Sequence, residues 1–523
     1  WSTVGPSAMP SQSKADSASV GNVSPQVRRR LSAVLEHLAA RHTARTYRPG
    51  HCCSFFRAGA CSASSHHSNQ DVEDLAVEAG RRPSPAARRH SGHFLDDSEA
   101  GLFDPERFRA TQRPLLQAST LPAECYNSRA WFARECERVF LPSWSLVGRA
   151  DEIVEPGSYL AVDTEWGGPV AVCRGSDGKL HAFANVCCHR GAKVLQGPVG
   201  KGAKVGLVCP YHAWTYNYDG TLKWAPGMDQ VEGFEEELVR LAPVRLEEFH
   251  GFVFVCVSEK ARPLLETLGD LPGCMAPWFG VNGVAMDMVT VGRREYTVNC
   301  NWKFLMENTC ETYHTSTVHK NSLGPMKAHP APPHVGDWDA VEVPSQRSIV
   351  PLPNDFQGES FPLPAFTKRT AFVNLFPSLQ INVTWDCLWW MRLFPEDVDR
   401  THIQMGFCFL KETAALPHFP SVLERYLLRW HTAVSEDNAI SLNQQRGVRS
   451  HFRVPGRFGP LEFGTHNFNN WLLSKVLDGG ARWDPGQRIY TGKGEMWSND
   501  DQRLLDVVRE AEEAQTGQSK LDP

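Results

Sequence analysis

The segment from Asn185 to Trp214 constrains this chain most, because it carries two short Cys/His pairs on either side of a glycine-rich loop. The first pair is Cys187 and His189, spaced Cys-x-His, and the second is Cys209 and His212, spaced Cys-x-x-His. Thiol and imidazole groups at such short spacings are typical of metal ligands. Glycines allow the backbone between the pairs to approach a bound group closely. The segment therefore predicts a metal centre held by these four side chains.

The choice of two Cys and two His indicates which metal centre this is. Two thiolates on one iron and two neutral imidazoles on the other are the ligand set of a Rieske [2Fe-2S] cluster. Zinc is the alternative, but a Cys2His2 zinc site usually groups Cys with Cys and His with His, whereas each pair here is mixed. Cys188 lies between the two ligands of the first pair. We interpret Cys188 as a bystander, because Cys187 gives the Cys-x-His spacing.

A second group of candidate ligands lies in residues 301–319. On a helix, Glu307, Glu311 and His314 share one face, and His319 reaches the same point if the helix ends or bends before it. Two imidazoles and one carboxylate, with three open positions on iron, form the facial triad that binds substrate and O2 at Fe(II). For Glu307 and Glu311 the alternative is a solvated polar face of the helix.

The remaining carboxylate is expected from a later helix. In residues 421–446 an apolar stripe at helical spacing continues onto Asp437, whereas Glu436 lies about 100° away, on the side further from the stripe. A carboxylate that continues a core stripe needs a partner such as a metal ion. Asp437 is therefore the third predicted ligand, with membership of a buried salt bridge as the alternative.

Together these segments resemble the Rieske non-haem iron oxygenases. The quoted matches are Asn185-x-Cys187-x-His189-Arg190-Gly191, Cys209-x-x-His212-x-Trp214, Glu307-Asn308-x-x-Glu311-x-Tyr313-His314 and Ser435-Glu436-Asp437-x6-Gln444-x-x-Gly447. The resemblance extends from about residue 121 to about residue 510. It implies a catalytic α subunit in which electrons pass from the cluster through His212 or His189 towards Glu311, the family's bridging acid, and on to iron held by His314, His319 and Asp437.

The resemblance also implies a fold and an assembly. We expect an α+β protein with an entry helix in residues 118–143, a small antiparallel β Rieske domain in 144–262, and a catalytic domain in 263–515 made of antiparallel sheet covered by helices (helix-grip, START-like). The expected cofactors are the [2Fe-2S] cluster and mononuclear Fe(II), with O2 as co-substrate. A separate NAD(P)H reductase or ferredoxin would supply electrons, because no flavin or nicotinamide fingerprint occurs. The family's head-to-tail homotrimer would join one subunit's cluster to the next subunit's iron.

Local patterns predict individual strands and one further helix. The predicted strands are 158–162, 169–172, 252–255, 372–379, 381–385, 387–392 and 402–409, and the predicted helix is 498–514.

The substrate is the least constrained part of the prediction. The Glu-Asn-x-x-Glu-x-Tyr-His form resembles the branch that acts on quaternary amines such as choline, carnitine and glycine betaine. Trp385, Trp389 and Trp390 are expected either to form an aromatic box for such a cation or to belong to the core. Hydroxylation of an aromatic ring is the alternative reaction. A Rieske electron-transfer protein without oxygenase activity is the alternative from another class.

The first 60 residues have the composition of a targeting sequence. Residues 1–60 contain eight Lys or Arg against two acids, and an apolar stripe at helical spacing lies beside the arginines. We expect an organelle transit peptide there, for the chloroplast stroma in preference to the mitochondrion, followed by a disordered linker in 61–117. The alternative is a basic leader on a cytoplasmic protein.

Composition excludes several other classes. The net charge of −5 gives no reason to expect a nucleic acid partner, and no run of 18 apolar residues predicts a membrane span. The fifteen cysteines are scattered through a long chain, so we interpret them as thiols and cluster ligands.

Overall fold

The computed structural model describes residues 101–477, apart from 165–166, 280–287, 327–328, 331–334, 345–368 and 385–386. The predicted transit peptide, Trp385 and the predicted helix 498–514 lie outside these residues. Within the predicted linker, residues 101–117 differ from the expectation, since they form 3-10 turns at Pro105–Phe108 and Leu115–Gln117. Phe108 and Leu115 are buried in these turns. Apolar anchors therefore order this stretch despite its polar composition.

The expected entry helix is present as shorter pieces. Helix α1 is Glu124–Asn127, helix α2 is Arg129–Glu135, and a π turn follows at Cys136–Phe140. The hydroxyl of Ser128 accepts the backbone N–H of Trp131, which caps the start of α2. Trp131 is fully buried in the largest core cluster, so this segment is anchored on the rest of the fold.

Small antiparallel sheets follow the entry segment. Their strands are β1 (Ser145–Arg149), β2 (Ser158–Thr164), β3 (Gly168–Arg174), β4 (Leu180–Ala184), β5 (Val199–Lys201), β6 (Leu207–Val208), β7 (Thr215–Tyr216), β8 (Leu222–Trp224), β9 (Arg245–Phe249) and β10 (Phe252–Cys256). They pair in the orders β1-β10-β9, β4-β3-β2-β5 and β6-β7-β8. The predicted strands at 158–162, 169–172 and 252–255 lie within β2, β3 and β10.

A large sheet with helices makes up the rest of the described chain. Its elements are α3 (Leu264–Leu268), α4 (Leu271–Phe279), β11 (Met288–Val298), α5 (Trp302–Thr309), α6 (Thr315–Val318), β12 (His329–Pro330), β13 (Trp338–Pro344), β14 (Arg369–Leu375), β15 (Leu379–Val383), β16 (Leu388–Asp397), β17 (Arg400–Leu410), α7 (Lys411–Ala414), α8 (Phe419–Val448) and α9 (Phe463–Val476). The sheet is antiparallel, with strand order β11-β17-β16-β15-β14-β13-β12.

The two faces of the large sheet are covered differently. Alternate residues of β17, from Ile403 to Phe409, face the helices α5, α8 and α9 in one core cluster. Trp390 and Cys408 belong to a second cluster, which includes residues of β1, β9 and β10. The α+β class and the pairing of a small β domain with a helix-covered antiparallel sheet are thus confirmed. Within the described residues, none of the helices combines the length and apolar character that a bilayer crossing requires.

One strand prediction is wrong. Residues 372–379 do not form one strand, because β14 ends at Leu375 and a turn at Phe376–Ser378 leads into β15. Pro377 lacks the backbone N–H that a central strand would need. The turn makes β14 and β15 a hairpin, with Leu375 opposite Leu379.

Candidate functional site

The first candidate site is formed by two loops at the edge of the small sheets. One loop follows β4, and the other joins the paired strands β6 and β7. The buried amide of Asn185 fixes the first loop, since it donates to the carbonyl of Leu195 at 2.9 Å and accepts the N–H of the same residue at 2.8 Å. The second loop closes with a hydrogen bond from the Cys209 N–H to the Trp214 carbonyl at 2.8 Å.

The four predicted cluster ligands differ in solvent exposure. Cys187 and Cys209 are 3% and 2% exposed, whereas His189 and His212 are exposed side chains. Burial raises the pKa of the Cys209 thiol, and a hydrogen bond with Cys187 raises it further, so the two sulfurs are neighbours. The two imidazole rings lie 4.6 Å apart between centroids. Desolvation and the charges of His189 and Arg190 lower the pKa of His212, which favours the neutral ring that metal binding requires.

This arrangement fits a two-iron cluster better than a single zinc ion. Thiol next to thiol and imidazole next to imidazole match two irons that carry different ligand pairs. A single tetrahedral ion would need all four ligand atoms to converge. Among the described residues, no three of these four side chains bring their ligand atoms within 4.8 Å of one another. His314, His319 and Asp437 do meet that distance.

Neighbouring groups support the assignment of Cys187 and set Cys188 apart. The hydroxyl of Tyr216 lies 3.2 Å from the Cys187 sulfur and accepts the backbone N–H of Cys188 at 3.0 Å. The Cys188 thiol instead donates to the carbonyl of Arg240 at 3.1 Å. The ring of His189 stacks on Trp214, with centroids 4.9 Å apart and planes 4° apart. Tyr216 and Trp214 therefore shape the ligand loops, and Cys188 points elsewhere.

The second candidate site begins at a break between helices. The expectation of one continuous helix through His314 is wrong, because α5 ends at Thr309 and α6 begins at Thr315. The carboxylate of Glu311 accepts the backbone N–H groups of Tyr313 and His314, so side-chain hydrogen bonds replace helical ones here. Gly464 of α9 packs against this break, and a Cβ at that position would lie 2.1 Å from the Cys310 carbonyl oxygen.

The break brings the three predicted iron ligands together. One oxygen of Asp437, Oδ1, lies 3.1 Å from Nε2 of His319 and 3.5 Å from Nε2 of His314. The side-chain amide of Asn308 also donates to this oxygen, at 3.2 Å. Two imidazole nitrogens and one carboxylate thus meet at a single point, and these groups fit one ion of the facial-triad type.

The outer nitrogen of each imidazole is held by a different carboxylate. Nδ1 of His314 lies 2.7 Å from Glu311, and Nδ1 of His319 lies 2.7 Å from Glu436. Glu311 was predicted to lie at this site, but Glu436 was not, because the apolar stripe of α8 continues onto Asp437 and leaves Glu436 to one side. The detectable signal was the acidic pair itself, since two acids about 100° apart on a helix can face one ring from two sides.

Charges around the two rings control their protonation. Burial lowers the pKa of His314, but the hydrogen bond to Glu311 and the charges of Glu311 and Asp437 outweigh it and raise the pKa overall. For His319, burial is likewise outweighed by Asp437 and Glu436, so its pKa is also raised. The carboxylates around the two rings therefore favour their protonated forms, so a cation would compete with protons for these nitrogens.

A cavity of about 370 Å³ lies beside these side chains. His314, His319 and Asp437 form part of its wall, together with the indoles of Trp389 and Trp430, whose ring centroids are 6.1 Å apart. Trp390 is completely buried in the core cluster on the other face of the sheet, so it belongs to the core and not to an aromatic box. The alternation of residues along β16 explains why neighbouring tryptophans have different roles.

Glu307 does not reach the second site. Its carboxylate instead accepts the hydroxyl of Tyr126 at 2.7 Å. The residue keeps some exposed surface, but its carboxyl group is enclosed, and this burial raises the pKa of Glu307 to about 7. Tyr126 stacks on Phe304 with parallel rings 4.4 Å apart. The helix break separates Glu307 from Glu311, so the shared face that periodicity predicted does not form.

Two family models match the parts of the chain that carry these sites. Residues 143–235 match the Rieske [2Fe-2S] domain, and residues 285–478 match the ring hydroxylating alpha subunit (catalytic domain). The first match contains all four predicted cluster ligands, and the second contains the three predicted iron ligands, His314, His319 and Asp437.

Two individual relatives match over part of their length. The carnitine monooxygenase oxygenase subunit of Acinetobacter baumannii is 36% identical over 202 residues, which is 39% of this chain and 53% of that protein. The chloroplastic choline monooxygenase of Arabidopsis thaliana is 32% identical over 272 residues, or 46% of this chain and 63% of that protein. The chain spans about half the length of the curated relatives that it matches first.

A solved structure extends the likeness to nearly a whole protein. A quaternary ammonium Rieske monooxygenase, described for carnitine oxidation and inter-subunit electron transfer, aligns with a TM-score of 0.60 at 27% identity. The alignment covers 72% of this chain and 99% of the other. The two candidate sites thus lie in a fold that this chain shares with nearly the full length of that structure.

Proposed function

We propose, since this chain belongs to the ring-hydroxylating α-subunit family that carries a Rieske [2Fe-2S] domain, that it uses O2 and externally supplied electrons to monooxygenate a quaternary amine. The observation that carries the proposal is the cavity in which Trp389 and Trp430 face the same space as His314, His319 and Asp437. The proposed iron ligands and the aromatic rings that would attract a cation therefore line the same cavity.

The iron ligands in this proposal are His314, His319 and Asp437. Fe(II) bound by these three side chains would retain open coordination positions for O2 activation. Asn308 restrains the Asp437 carboxylate by its hydrogen bond of 3.2 Å. The apolar residues of the wall, such as Met391, Ile403 and Val434, limit the access of water to the reacting atoms.

The cluster ligands in this proposal are Cys187, His189, Cys209 and His212. A [2Fe-2S] cluster held by these residues would supply single electrons, and the exposed side chains of His189 and His212 would offer a route for them in and out. Glu311 is the acid that links the iron site to a cluster, because it holds Nδ1 of His314 at 2.7 Å. Its neighbour Tyr313 is 55% exposed, so this link reaches the protein surface. We extend the proposal to a homotrimer in which a neighbouring subunit supplies the cluster, with a separate reductase or ferredoxin as donor.

The cavity favours a quaternary ammonium substrate. Such a cation cannot donate hydrogen bonds, so attraction to aromatic faces is its main means of recognition. Trp389 and Trp430 provide two such faces, and Phe372 adds a third ring to the wall. Among the described wall residues, Arg429 is the one Lys or Arg. A zwitterion such as carnitine or glycine betaine would complement both features better than choline, which lacks an anionic end.

The basic leader in residues 1–60 supports a place in the chloroplast stroma. The chloroplastic choline monooxygenase of Arabidopsis thaliana supports the same location, whereas the carnitine monooxygenase subunit of Acinetobacter baumannii is bacterial. Import of the full chain into isolated chloroplasts, with loss of the leader, tests this part of the proposal.

The function is tested on protein purified without air. Wild type is expected to hold about three irons per chain and to show a Rieske electron paramagnetic resonance (EPR) signal after reduction. The double variant His314→Ala/His319→Ala should lose one iron and keep the signal. Two irons in both proteins would support an electron carrier instead. With reductase and O2, carnitine, glycine betaine and choline are then compared with simple arenes, and turnover of arenes alone would overturn the substrate class.

A further inference from the structure

Helix α8 contacts both nitrogens of one imidazole through two consecutive residues. Oδ1 of Asp437 lies 3.1 Å from Nε2 of His319, and Oε2 of Glu436 lies 2.7 Å from Nδ1 of the same ring. The ring itself is 2% exposed. His319 is therefore clamped between two carboxylates that lie next to each other in the chain but approach from opposite edges of the ring.

The two contacts have different chemical consequences. An ionised carboxylate only accepts hydrogen bonds, so the contact with Glu436 places the ring proton on Nδ1. The lone pair of the neutral ring is then on Nε2, the atom that faces Asp437. A metal-bound histidine needs this tautomer, and a carboxylate on its outer nitrogen also increases its basicity.

Glu436 is itself held in place. Its side chain is 28% exposed and would have freedom to turn away, but the hydroxyl of Ser322 donates to the same Oε2 atom at 2.5 Å. The backbone N–H of Ser322 donates to the carbonyl of His319 at 2.9 Å. His319, Glu436 and Ser322 thus form a closed ring of contacts between α8 and the turn after α6.

The other histidine is held in a different way. Glu311 bonds Nδ1 of His314, but Glu311 is fixed by backbone N–H groups of its own turn, those of Tyr313 and His314. The orientation of His314 is therefore set by local chain. The orientation of His319 depends on a residue 117 positions later in the sequence.

We propose that Glu436 is a positioning residue that sets the tautomer and angle of His319 for metal binding, and that Ser322 holds Glu436 in that role. This inference rests on the proposed iron site. It gives the two acids that face the imidazoles separate duties: Glu311 orients one ligand and links it to the surface, while Glu436 serves ligand geometry alone.

The test measures Fe(II) affinity by competition with a chelator, together with the EPR spectrum of the Fe(II)–nitric oxide adduct. Neither measurement depends on turnover. Glu436→Ala is expected to weaken Fe(II) binding by about 10- to 100-fold and to change the adduct spectrum. Glu436→Gln should lose less Fe(II) affinity than Glu436→Ala, because the amide oxygen of glutamine can still accept a hydrogen bond from Nδ1 of His319. Ser322→Ala should cause a smaller loss than Glu436→Ala. Glu424→Gln, at an exposed position of the same helix, is the matched control and should behave as wild type.

The visible absorbance of the cluster and the melting temperature report on the fold of each variant. Loss of iron with both of these retained supports positioning, whereas wild-type affinity and an unchanged spectrum in Glu436→Ala overturn it. If Glu436→Ala fails to fold, wild-type affinity in both Glu436→Gln and Ser322→Ala also overturns it. If wild type itself binds no Fe(II) that His314→Ala/His319→Ala loses, the proposed function fails instead.

Discussion

The ammonium group of Lys303 lies 2.7 Å from the carboxylate of Glu135, and both side chains are completely buried. The indole N–H groups of Trp131 and Trp302 donate to the same carboxylate at 2.8 and 2.9 Å. Burial raises the pKa of Glu135, and Lys303 and the two indoles oppose that rise. The group fastens the entry helix α2 to α5, the helix that leads into the iron site.

Removal of Glu135 should be costly. In Glu135→Ala, Lys303 stays buried without its carboxylate, and the free energy of unfolding should fall by about 3 to 5 kcal/mol. Denaturant unfolding followed by tryptophan fluorescence measures the change. Glu106→Ala is the control, because Glu106 pairs with Arg109 on the surface, and this change should cost less than about 1 kcal/mol. A loss for Glu135→Ala as small as the control's would contradict the prediction.

Glu307 should make stability depend on pH. Its folded-state pKa of about 7 exceeds the value of an exposed glutamate, so the folded protein binds more protons than the unfolded chain between roughly pH 4.5 and 7. Its contribution to stability should therefore fall as the pH rises through this window, by about 3 kcal/mol. Glu307→Gln should make the free energy of unfolding less dependent on pH in this window than it is in wild type, and Glu259→Gln, at an exposed position, should not. Parallel curves for wild type and Glu307→Gln would show that Glu307 does not titrate there.

Trp389 should discriminate charge in the substrate. Cation–π attraction is worth about 0.5 to 2 kcal/mol, so Trp389→Leu should raise Kd for a quaternary amine by about 2- to 30-fold. A neutral isostere, with carbon in place of nitrogen, should lose much less binding in the same variant. Binding of both ligands is measured by calorimetry, and an equal loss for both would mean that Trp389 supplies only shape.

Arg429 should select for an anionic end of the substrate. Arg429 and Asp437 lie two turns apart on α8, about 12 Å along its axis, so a zwitterion could extend from the iron towards the arginine. Arg429→Met should raise KM for carnitine and glycine betaine by about 10-fold or more and leave choline within roughly a factor of two. Arg425→Met, one turn away and outside the described cavity wall, is the control. An equal change for all three substrates would argue against a carboxylate contact.

The two neighbouring cysteines should behave differently. Cys187→Ser should abolish the Rieske absorbance and EPR signal, because it removes a thiolate ligand. Cys188→Ser should keep both, since the Cys188 thiol contacts the Arg240 carbonyl. Loss of the cluster in Cys188→Ser, with retention in Cys187→Ser, would exchange the two assignments.

The sequence predicted the fold class and the residues that meet at the second site, for identifiable reasons. His314 and His319 are only five residues apart, and the apolar stripe of α8 follows the helical period, so Asp437 could be found from a pattern. The break after Thr309 was not predictable from periodicity. It depends on Glu311 bonding to its own turn and on Gly464, 153 positions later, packing against the Cys310 carbonyl.

Long-range contacts account for the other differences. The apolar stripe shows only which side of α8 faces the core, so it does not predict the contact between Glu436 and the His319 ring that follows α6. Trp389 and Trp390 are indistinguishable by composition, and the sheet register alone sends one to the cavity and the other to the opposite core. The burial of Phe108 and Leu115 was not predicted, because they stand in a polar stretch and the residues that bury them lie elsewhere in the chain.

The consecutive placement of Glu436 and Asp437 restricts how this chain can change in length. Each residue added to α8 between Phe419 and Ser435 would turn the acidic pair by about 100° relative to the apolar stripe. The core and the ligands could not then both keep their contacts, and a three- or four-residue change would still shift the pair by about a turn along the axis. Insertions that preserve the proposed iron site are therefore confined to the loops on either side of this helix.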